Sequence, residues 1–108
     1  MKCPKCTEET LTTASVQGID VDRCTNCRGI WFDEQELPRL LQVTSQDLTP
    51  LRGGSVQEDL NTKRGSCPRD ATPLLRVYSA QNPSVVVDAC TQCRGIWLDG
   101  GEFDRLLS

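Results

Sequence analysis

A ten-residue phrase occurs twice in this chain, CTNCRGIWFD at 24–33 and CTQCRGIWLD at 90–99, identical at eight of ten positions. No other stretch is repeated so closely, and the whole chain has only 108 residues. Two copies of one local device must therefore share a length that a single average domain would fill. Units this small cannot bury enough apolar surface to offset chain entropy, and they depend on disulfides or a metal ion.

The cysteines select the metal. In the first half they stand as two pairs with two-residue spacing, Cys3 with Cys6 and Cys24 with Cys27. Such a pair grips one ion from a tight knuckle, and a hairpin between two pairs sets the knuckles face to face. Four thiolates in a tetrahedron closed to water make a structural zinc site. In the second half Cys67, Cys90 and Cys93 repeat three of the four positions, and Asp70 stands where Cys6 would recur, giving an odd total of seven cysteines. An odd total fits a disulfide framework poorly. Aspartate is a competent zinc ligand and carries the same single negative charge, so Cys67, Asp70, Cys90 and Cys93 are expected to form a Cys3Asp site. Two alternatives stand beside this: Asp70 faces solvent with the site empty, or three thiolates and a water leave an open position as in catalytic zinc. Iron in a rubredoxin-like arrangement is the alternative metal, because tetrahedral thiolate geometry does not separate the two ions.

Between the pairs the pattern predicts hairpins. Leu11, Val16, Ile19 and Val21 surround a Gln17-Gly18 turn, while residues 74–78 and 85–87 flank AQNPS. Each tryptophan is then followed by a helix start. Asp33 with Glu36 and Asp99 with Glu102 read as capping boxes, and Phe32 with Leu37 and Leu98 with Phe103 as hydrophobic staples. The helices carry Leu37, Leu40 and Leu41, or Phe103, Leu106 and Leu107, on one face. Pro38 is expected to bend the first helix or tighten its start. Gly29 is read as permitting the turn that leads the chain away from the metal.

The basic residues near the ligands, Lys2, Lys5, Arg28, Arg69 and Arg94, are read as neutralising the anionic metal-thiolate clusters, with a basic tip for phosphate or an acidic partner as the other reading. Trp31 and Trp97 are read as miniature cores beside the metal rather than docking aromatics.

Several function classes drop out. The chain has no histidine, which removes the usual general base, every Ser-His-Asp or Cys-His arrangement and all mixed Cys/His zinc sites. A formal net charge of −3 gives no electrostatic footprint for nucleic acid. No apolar run approaches the roughly 20 residues that span a bilayer, and MKCPKC is not a signal-peptide start, so the expected location is cytoplasmic.

The phrases CPKC…DRCTNCRGIWFDEQEL and CPRD…DACTQCRGIWLDGGEF resemble the TFIIB-type zinc-ribbon family, small and mostly bacterial, whose hallmark is C-P-x-C followed by D-x-C-x-x-C-x-G-I-W-L-D-x-G-E-L. The resemblance implies zinc on Cys3, Cys6, Cys24 and Cys27 and on Cys67, Cys90 and Cys93. The family's remaining cysteine falls on Asp70. An association with transcription comes only with the family name.

The expected fold is a small metal-stabilised α+β arrangement of two tandem zinc ribbons, each a β-hairpin with zinc knuckles followed by a short helix. Ribbon 1 is expected over 1–44, a linker over 45–65 in which SVQEDL could add a helical turn, and ribbon 2 over 66–108. The expected function is a non-catalytic zinc-binding module that docks a protein partner. The alternatives are a nucleic-acid-binding ribbon and a rubredoxin-like or thiol redox protein.

Overall fold

The computed structural model describes residues 1–42, 48, 51, 59, 62–79, 83 and 85–107. Gln17 and Gly18 turn the chain with φ of 53° and 76°. Positive φ at both central residues gives the twist that a two-residue hairpin needs. The turn joins β1 (Thr12–Val16) to β2 (Ile19–Arg23), with Val16 opposite Ile19. A short strand β3 (Ile30–Phe32) then returns against β2 and leads into α1 (Glu36–Leu40). The second half repeats the plan: β4 (Leu75–Tyr78), β5 (Val86–Ala89), β6 (Ile96–Leu98) and α2 (Glu102–Leu107). Most of the AQNPS turn and the SVQEDL segment lie outside the described residues.

The six strands form one antiparallel sheet in the order β1-β2-β3-β6-β5-β4. Its centre is the pairing of β3 with β6, in which Trp31 faces Trp97, Ile30 faces Leu98 and Phe32 faces Ile96. The equivalent tryptophans stand opposite each other and the flanking pairs are exchanged about them, so a pseudo-twofold axis passes between the tryptophans.

Alternation along these strands divides the interior in two. One face gathers Ile30, Phe32 and Leu98 with Val16, Ile19, Val21, Val87, Leu37, Leu40, Phe103 and Leu106 under the helices. Leu48 and Leu51, from the stretch expected as a polar linker, join this core, 1% and 2% exposed. The other face carries Trp31 and Trp97 among the cysteines, with Leu11 and Leu74.

The helix starts differ from the expected boxes. Glu36 does reach back to the Asp33 amide at 2.7 Å. The Asp33 carboxylate, however, accepts from the Trp31 indole at 3.0 Å and from Arg69, and Asp99 likewise accepts from the Trp97 indole at 3.0 Å. Gln35, with φ of 77°, is the residue that caps α1. This later start puts Pro38 within the first turn, where a missing amide costs no helical bond, so no bend is required. Across the axis Phe32 stacks on Phe103 of the other repeat, centroids 5.9 Å apart.

Candidate metal centres

All four knuckles share one backbone device. The fifth residue of each, Thr7, Arg28, Ala71 or Arg94, has φ between 58° and 65°. Its amide donates to the carbonyl of the knuckle's first cysteine, at 2.9 to 3.1 Å. The left-handed residue closes the loop so that both ligand side chains point to one side. Sequence reasoning missed these residues, since none is glycine or asparagine, the types that usually mark this conformation. Amides then point at the sulfurs: Cys6 N–H lies 3.3 Å from Cys3 Sγ, Cys27 N–H 3.5 Å from Cys24 Sγ, and Cys93 N–H 3.4 Å from Cys90 Sγ. Such donors stabilise thiolate over thiol. The Cys67–Asp70 knuckle keeps the same fold although its second ligand position is an aspartate.

The eight expected donors come together in two groups, Cys3, Cys6, Cys24 and Cys27, and Cys67, Asp70, Cys90 and Cys93, with the ligand atoms of each group within 4.8 Å of one another. The donor spacing tests whether an ion fits. A tetrahedron with Zn–S of about 2.3 Å has S···S edges of about 3.8 Å. The observed edges are 3.8 Å for Cys3 to Cys27, 3.9 Å for Cys24 to Cys6 and 3.6 Å for Cys67 to Cys93. With an oxygen ligand at about 2.1 Å the mixed S···O edge contracts to about 3.6 Å. Both Asp70 carboxylate oxygens lie 3.6 Å from Cys90 Sγ. The residues fit a tetrahedral zinc-sized ion in both places. All seven cysteines are free of disulfides.

Without an ion, the first cluster shares its protons unequally. The Cys27 thiol beside Cys3 lowers the Cys3 pKa to about 6, while the same bond pushes Cys27 up. In the second cluster burial raises Cys67 to about 12. Asp70 is held below the usual carboxylate range by the Thr72 backbone amide, which donates to its Oδ1 at 3.0 Å. That bond favours the carboxylate form of Asp70.

Two basic residues within the knuckles act across the twofold axis. Lys5, between Cys3 and Cys6, is fully buried and its Nζ lies 3.3 Å from Asp88 and from Asp99 of the second repeat. Arg69, at the equivalent place between Cys67 and Asp70, forms a two-point bond with Asp33 of the first repeat. The reading of these two cations as neutralising the thiolates is thus corrected: they clasp the repeats together. Gly29 is corrected as well, because a Cβ there would lie 2.2 Å from the Trp97 ring, and at Gly95 one would lie 2.1 Å from the Trp31 ring. Each glycine makes room for the other repeat's tryptophan. Both rings are fully buried, so each removes 150–250 Å² from water, roughly 4 to 6 kcal/mol of transfer free energy.

The sequence profile described as "Transcription factor zinc-finger", a TFIIB-type zinc ribbon, matches residues 2–43 and again 66–108. The chain belongs to this family. Two family ribbons thus lie in tandem, each supplying three strands to the shared sheet and one cluster of four donors that could hold a metal ion. Comparison with curated proteins and with solved structures gave no match. Among the described residues no helix is long and apolar enough to cross a membrane.

Proposed function

We propose that this chain is a non-catalytic protein-docking module in which two zinc ions hold a pair of zinc ribbons as one rigid body. The observation that carries the reading is the donor geometry: two sets of four donors at tetrahedral spacing, on knuckles of one shape. Zinc in such a set supplies folding energy, about 10 to 16 kcal/mol per ion in finger peptides. The ligands proposed are Cys3, Cys6, Cys24 and Cys27 for the first ion, and Cys67, Asp70, Cys90 and Cys93 for the second. The conspicuous aromatic and basic residues of the repeat, Trp31, Trp97, Lys5 and Arg69, are engaged in ribbon-to-ribbon contact, which leaves the remaining surface to recognise a partner. The family name supports a transcription-related partner. Affinity capture with the zinc-loaded chain from its host, against the same chain stripped of metal, tests this. A protein retained only by the loaded form supports docking, and recovery of none at native concentration overturns it.

A second reading has one observation in its favour. A groove of about 420 Å³ between the Cys3 and Cys67 knuckles is flanked by Lys2, Lys63 and Arg64. That basic rim suits nucleic acid. Binding to single or double strands that weakens steeply with salt would favour it over docking.

A further inference from the structure

The two centres differ in how they are covered. At the first, both knuckles are packed against the second half of the chain. Gly100 lies so close that a Cβ on it would be 2.2 Å from the Cys27 carbonyl oxygen, and Gly65 abuts Pro4. Lys5 is pinned beneath, its carbonyl accepting from Lys63 Nζ at 2.6 Å. Cys6, the one partly exposed ligand, has its sulfur capped by the Asn26 amide at 3.3 Å.

The twofold-related positions at the second centre are open. Glu34 stands in place of Gly100 and is exposed, Met1 in place of Gly65 is 38% exposed, and Arg69 in place of Lys5 is 47% exposed. Asp70 itself is exposed and Cys93 partly so. The exposed donor here is an oxygen ligand, harder than the thiolates that zinc prefers. Asp70 also has somewhere to rest when off the metal, since Thr72 N–H already holds its Oδ1.

Resting on the proposal that both clusters hold zinc, we infer that the second centre is an exchangeable zinc site with Asp70 as the ligand that releases first, while the first centre is permanent. Unloading would free the 67–70 knuckle and with it the Arg69 bond to Asp33. The β3–β6 pairing, the Trp97 bond to Asp99 and the Lys5 clasp use residues outside that knuckle. Zinc supply would thus adjust one end of the molecule while the sheet stays assembled, and a competing zinc acceptor would operate the change.

The test mixes the two-zinc chain with excess 4-(2-pyridylazo)resorcinol and follows the coloured zinc complex. The expected result is two phases of one zinc each, at least tenfold apart in rate. Asp70→Cys is expected to slow the fast phase at least tenfold, and Asp70→Asn to quicken it without changing the slow one. After the fast phase the Trp97 indole N–H resonance, whose acceptor Asp99 belongs to the Lys5 clasp, should keep its folded position. Both zincs leaving in a single phase overturns the inference and leaves the docking module standing. A fast phase indifferent to both Asp70 variants overturns it too. A chain that holds no zinc overturns both this inference and the docking reading.

Discussion

The two cross-ribbon clasps occupy equivalent places and differ in nearly every physical respect. Lys5 is buried against Asp88 and Asp99, which are 4% and 6% exposed, whereas Arg69 meets Asp33 with the two side chains 47% and 30% exposed. A buried cation removed from its carboxylates leaves uncompensated charge, a change worth about 3 to 5 kcal/mol. An exposed pair, even a two-point one, is worth about 0 to 1 kcal/mol. A duplicated sequence has therefore produced one locked end and one loose end, and the loose end coincides with the aspartate-containing cluster.

The comparison can be broken most severely at the proposed metal ligands. Cys24→Ser should abolish the folded near-ultraviolet circular dichroism of the whole chain, because it removes a fully buried ligand from the clamped centre. Cys90→Ser should cost less and leave ribbon 1 dispersed in an NMR spectrum. Equal collapse in both would show that the two centres carry the fold equally.

Next in size are the glycines at the axis. Gly29→Ala and Gly95→Ala each force a methyl group into a buried indole, and each should lower stability by about 3 kcal/mol in denaturant titration. Here the twofold predicts parity, so unequal losses would show that the tryptophans do not share one environment. Lys5→Met should cost about 3 to 5 kcal/mol, and Arg69→Met under about 1. A reversal of that order would undo the distinction between locked and loose ends.

The smallest effect is one of pH. Arg69 holds Asp33 below its ordinary value of 3.8. The pair's contribution is fully present above pH 3.8 and fades as pH falls through the depressed folded value. Asp33→Asn should therefore lower stability slightly at pH 6, by less than about 1 kcal/mol, and the difference from the native chain should shrink towards the acid limit. A deficit that stays constant as pH falls through that range would mean that the Asp33 charge contributes nothing.

Much of the molecule was legible in the chain because its causes are local. Cysteine spacing, the Gln17-Gly18 turn and the apolar alternation of residues 11–21 act within one hairpin, so the sequence by itself determined two donor sets and the plan of each ribbon. It also determined that Asp70 replaces a thiolate. What it left ambiguous were residues whose partners lie in the other repeat. Gly29 beside a cluster reads as a turn, Lys5 as a counter-charge, Asp33 as a helix cap and Trp31 as a local core, and each reading is sound within one unit. Only the tertiary structure decided that β3 pairs with β6, which turns all four into contacts across the axis. The reason is physical: a short central strand must satisfy its outer edge with another strand, and pattern within one unit does not say which. The difference between a closed and an open metal centre was decided at the same level. Cover is supplied by chain far away in sequence, at Gly65 and Gly100, whereas the ligands themselves are fixed by spacing.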